Sequence, residues 1–73
     1  MRELRLNREL YRGEAIDQAV KLYERFAKFE LTEEPEHWVV KVEASSEKRA
    51  RRVADELANY ALGLTMEDRG RES

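Results

Sequence analysis

Seventy-three residues with no cysteine and a formal net charge of −2 make one domain that can use neither disulfides nor a thiolate metal site, so its stability must come from packing. Charged residues are 41% of the chain but nearly cancel, which leaves no overall-charge argument for nucleic-acid or membrane binding. There is no run of roughly eighteen apolar residues and no apolar stretch in the charged N-terminal segment, so a soluble cytoplasmic protein without membrane contact is the default expectation.

Leu4 and Leu6 alternate with Glu3, Arg5 and Asn7, the period of a short first strand. Leu10 and Tyr11 follow and read as an apolar plug over the start of a helix. From Glu14 to Phe26, the residues Ile16, Ala19, Val20, Tyr23 and Phe26 recur at three- and four-residue spacing, widened by Ala15 and Leu22, which predicts an amphipathic helix. Glu14 and Asp17 near its start and Lys21 and Arg25 near its end complement the helix dipole. Arg12 and Gly13 are weak caps.

Residues 28–43 predict a β-hairpin. Phe29 and Leu31 alternate with Lys28, Glu30 and Thr32; Trp38, Val40 and Val42 alternate with Val39, Lys41 and Glu43. Between the arms, Pro35 has no backbone donor and biases Glu34 toward extended geometry, so residues 33–37 form the connection. Ser45 and Ser46 are N-cap candidates for a second helix whose buried stripe is Ala50, Val53, Ala54, Leu57, Ala61 and Leu64. Gly63 predicts its end, with Leu64 closing over a C-terminal cap. Residues 1–64 then form the domain, and 65–73, with almost nothing to bury, a disordered tail.

The order strand, helix, strand, strand, helix predicts an α+β two-layer domain with both helices on one face of a three-stranded sheet. The strand order is not encoded in the periodicity. The open face would carry Arg5, Lys28, Glu30, Thr32, Val39, Lys41 and Glu43, and antiparallel sheets commonly leave such a face to water.

Material for catalysis is sparse. His37 is the one histidine and reads as a polar residue of the connection, so no catalytic residue and no cofactor is expected. Glu33, Glu34, Glu36 and His37 are neighbours in an extended loop and point apart, without the spacing of a metal site. Trp38 has the parity of the buried face and reads as core. Lys48, Arg49, Arg51 and Arg52 are the most pointed cluster, since four cations occupy the first turns of a helix whose dipole disfavours them. Either Arg51–Asp55 and Arg52–Glu56 pair at i,i+4 on a solvated face, or an anionic partner docks there. Val39, Lys41 and Glu43 are the candidates for docking on the sheet side.

The run Leu6-Asn7-Arg8-Glu9-Leu10-Tyr11-Arg12-Gly13-Glu14-Ala15-Ile16, with the Tyr23 to Phe26 helix end and the Trp38 to Val42 strand, resembles the HxsD-like family of small proteins from the His-Xaa-Ser system. Its members occur beside radical SAM maturases and a repeat peptide, so the resemblance implies an accessory, peptide-binding role. The same order, with Ala58-Asn59-Tyr60-Ala61-Leu62 in the last helix, also resembles the small dimer-forming subunit of the archaeal tRNA-modifying KEOPS complex, which implies a dimeric scaffold. The expectation from residues and resemblance together is a non-enzymatic module that binds a protein or peptide and forms a homodimer, with nucleic acid an unlikely ligand.

Overall fold

A computed structural model describes the backbone of residues 1–72 and the side chains as far as Glu67. The elements are β1 (Arg2–Asn7), α1 (Gly13–Tyr23), β2 (Lys28–Glu33), β3 (His37–Glu43) and α2 (Glu47–Glu72). They form the expected α+β architecture, with a three-stranded antiparallel sheet in the order β1-β3-β2. Leu4 pairs with Val40 and Leu6 with Trp38, while Phe29 pairs with Val42 and Leu31 with Val40. One sheet face therefore collects these apolar residues, and both helices cover it. Ile16, Ala19, Val40, Val42, Ala54, Leu57 and Ala61 are fully buried between the layers. Alanines at 19, 54 and 61 let the helices lie close, and α2 also packs on β1 and β3.

Two local devices explain how the ends meet. Arg8 follows β1 and donates from Nη1 to the Glu34 carbonyl at 2.8 Å, pairs with the Glu33 carboxylate at 2.8 Å, and lies 4.5 Å over the Trp38 ring. Its own N–H donates to the Glu36 carbonyl. One residue thus holds the Glu33–Glu36 tip, with its side chain and its main chain, and the Glu34 N–H also donates to the His37 carbonyl there. The second device is Trp38, which is partly buried as expected. Its Nε1 donates to the Tyr11 carbonyl at 3.1 Å, and its ring lies against Gly13 at the start of α1.

Several expectations are corrected. α1 stops at Tyr23, and Phe26 lies in the following turn, 44% exposed, because residues 24–27 must reverse the chain into β2. Tyr11 packs on the core, but Leu10 is exposed rather than plugging the helix start. Gly63 does not end α2. No described glycine has the positive φ that a left-handed cap requires, and the helix continues through Glu72. The boundary expected after Leu64 falls inside this helix. Thr65 is fully buried: its Oγ1 accepts from the Arg12 N–H at 3.1 Å and donates to the Ala61 carbonyl at 2.9 Å, tying α2 to the start of α1. Met66 and Glu67 are exposed, and the rest of the expected tail lies outside the described side chains.

Candidate functional site

Ser46 caps α2 as predicted, its Oγ accepting from the Arg49 N–H at 3.1 Å. The next turns carry Lys48, Arg49, Arg51 and Arg52, all exposed. The i,i+4 pairs that would neutralise them do not form. Among the described residues, Arg51 and Arg52 make no ion pair with Asp55 or Glu56 and Lys48 makes none either, while Arg49 Nε reaches the Phe26 carbonyl at 3.5 Å. The four cations surround an open groove of about 830 Å³ whose apolar floor is Phe26 and Val53, with Asp55 and Glu56 on its rim. Four positive charges against two negative ones, beside a half-exposed aromatic ring, suit an anionic group with an apolar neighbour.

This groove does not end at Phe26. A smaller depression of about 370 Å³ runs from Phe26 along residues 24–28 to Glu43, Ala44 and Ser45. A third, about 680 Å³, shares Glu24, Arg25, Ala27 and Lys28 with it and is floored by Val20 of α1 and Phe29 of β2. The first and second meet at Phe26, so the three depressions adjoin one another around the α1–β2 turn, between the cations of α2 and Phe29 of β2.

The free edge of β2 is open along its length. Glu34 donates its N–H to His37, so by the alternation of antiparallel ladders the even-numbered residues of β2 face β3, and Phe29, Leu31 and Glu33 turn their N–H and C=O groups outward. Their side chains lie on the helix side, where Leu31 is 39% exposed at the margin of the helical layer.

The sheet-side candidates are placed differently from one another. Val39 lies on the face away from the helices, opposite Arg5 and Thr32, yet it is 4% exposed. Arg5 reaches from β1 to Glu34, with Nη2 2.8 Å from Oε1, and so spans the central strand at the level of Val39. An expected docking contact is thus a covered residue. Lys41 is half-buried and Glu43 exposed. His37 opens β3, half-buried. Among the described residues, no cluster of three or more His, Cys, Asp or Glu is placed to hold a metal, and no helix is long and apolar enough to cross a membrane.

The basic cluster was visible in the sequence. Phe26 and the β2 edge were not, since Phe26 fits the periodicity of α1 and an edge exists only once the strand order is known. What fold and site define is a small α+β domain with an open strand edge joined to a cationic groove. No family model matches the chain, and no curated protein or solved structure matches it either.

Proposed function

We propose that this protein is a non-enzymatic binding module that takes a peptide as an added strand on β2, the accessory role in a peptide-modification system that the HxsD-like resemblance implies. The observation that carries the reading is the unpaired edge of β2, which opens beside the Val20–Phe29 groove and leads to the cations of α2. An added strand gains affinity from main-chain hydrogen bonds and specificity from its alternate side chains. Apolar residues at every second position of the peptide meet Phe29 and Leu31. A peptide running antiparallel to β2 leaves the edge at its Lys28 end, so acidic residues C-terminal to its apolar stretch reach Lys48, Arg49, Arg51 and Arg52.

The test is an amide NMR titration with a synthetic peptide of alternating valine and threonine followed by three aspartates. Binding protects the Phe29, Leu31 and Glu33 amides and weakens with salt. Leu31→Pro removes one outward N–H at an edge position where proline is tolerated, and abolishes binding while the fold persists. Amides of β2 that stay fixed under a large peptide excess refute the proposal. A tRNA retarded in a gel by the same cations, with no peptide response, would replace it with the KEOPS-like scaffold reading.

A further inference from the structure

We propose that the other sheet edge, β1, pairs with β1 of a second copy of this chain, antiparallel about a two-fold axis at Leu4, so that the two three-stranded sheets become one. The inference is independent of the peptide site, which uses the opposite edge.

Arg8 donates its N–H to Glu36, in register with the Leu6–Trp38 and Leu4–Val40 pairs, so the even-numbered residues of β1 face β3. Glu3 and Arg5 then turn their N–H and C=O groups outward, and among the described residues no turn, cap or side chain bonds them. Such an edge is a template for another strand unless its side chains forbid it.

The side chains here choose a partner and a register. Centred on Leu4, a two-fold pairing sets Glu3 opposite Arg5 of the copy and Arg5 opposite its Glu3, with Leu4 against Leu4 on the helix side. Glu3 and Arg5 are also the residues with outward backbone groups, so they exchange the ladder bonds as well as the charges. The neighbouring centres fail: an axis at Glu3 sets two glutamates face to face, and one at Arg5 sets two arginines face to face. Strand β2 lacks this symmetry, because an axis at Glu30 opposes two glutamates and one at Leu31 opposes Phe29 to Glu33.

Arg5 is already disposed for the exchange. Its Nη2 is held by Glu34 at 2.8 Å, whereas Nη1 is 3.7 Å from Glu3 of the same strand. About half of each side chain is exposed, so Nη1 turns to the Glu3 of the copy without releasing Glu34. A contact this short belongs to the small, transient class of interface.

Charge reversal tests both the edge and the register. The wild type is expected to sediment as a monomer–dimer equilibrium at about 0.1–1 mM, the range of a weak interface. Glu3→Arg gives a strand with two arginines at these positions, and Arg5→Glu one with two glutamates. Each variant alone is expected to dimerise at least about tenfold more weakly, the effect of like charges placed opposite. An equimolar mixture pairs arginine with glutamate at both sites and restores the dimer. Because Arg5→Glu also loses the Glu34 bridge, oxidative trapping of Leu4→Cys is a second readout. Residues on the axis cross-link to their own copy, whereas Leu31→Cys does not. A monomeric wild type, single reversals that dimerise unchanged, a folded mixture that stays monomeric, or equal trapping at both cysteines overturns the proposal.

Discussion

Gly13→Ala is a test of how tightly α1 is seated on the sheet. A Cβ at Gly13 would lie 2.8 Å from Trp38 Cζ2 and 2.9 Å from Cη2, whereas carbon atoms pack comfortably at about 3.5–4.0 Å. Either the ring or the helix start must then move by roughly 0.7–1 Å to reach that contact distance. The ring has little freedom, being held by the indole bond to the Tyr11 carbonyl at 3.1 Å and covered by the Arg8 guanidinium at 4.5 Å. Stretching the hydrogen bond forfeits up to about 1 kcal/mol and displacing the cation up to about 1 kcal/mol. Overpacked cores in general lose about 1–3 kcal/mol. Alanine returns less than the full helix-propensity gain of about 1 kcal/mol, because residue 13 is in the first turn. The expected net loss is about 1–2 kcal/mol, which lowers Tm by about 4–15 °C in a domain of this size. Urea unfolding followed by tryptophan emission measures it directly, since Trp38 is the sole tryptophan. The midpoint should fall with the m-value unchanged and the native emission altered. A variant as stable as the wild type, or more so, refutes the steric account of Gly13.

The other glycine with a described environment should respond with the opposite sign. Gly63 has nothing within 4 Å of a built Cβ and lies inside α2, so Gly63→Ala is expected to raise stability by about 0.5–1 kcal/mol in the same urea assay. Thr65→Val keeps the shape but leaves the Arg12 N–H without its hydroxyl acceptor, and a loss of about 1–3 kcal/mol is expected by thermal unfolding.

How much of this was legible can be argued residue by residue. The hairpin at 28–43 was, because a period of two over both arms has no other cheap reading, and so was the α2 stripe as far as Ala61. Arg8 was not: its four contacts join residues that meet only when β1 has paired with β3, and nothing local to Arg8 names them. Gly63 misled for a definite reason. Glycine ends a helix when its positive φ is used, and here it is not used, while the residue that fixes this part of α2, Thr65, acts through a contact 53 positions away. On the candidate site, composition and spacing disclosed the cations of α2, but their want of carboxylate partners is a matter of rotamers. The Phe26 floor depends on where α1 stops, at Tyr23, three residues short of what the 3.6-residue period allows.

Val39 shows why the proposed recognition rests on edges rather than faces. Periodicity placed it correctly on the side away from the helices, and an outward valine on a central strand would normally be an exposed apolar contact. The strand order changes that outcome, because β3 in the middle puts Val39 beneath the bridge from Arg5 to Glu34. A partner approaching this face would have to displace a 2.8 Å ion pair to reach one valine. A strand added to β2, or a second β1, meets backbone donors and acceptors that no described group occupies. Arg5 acts at both places: one nitrogen closes the outer face, and the other, 3.7 Å from Glu3, lies at the edge where self-pairing is proposed.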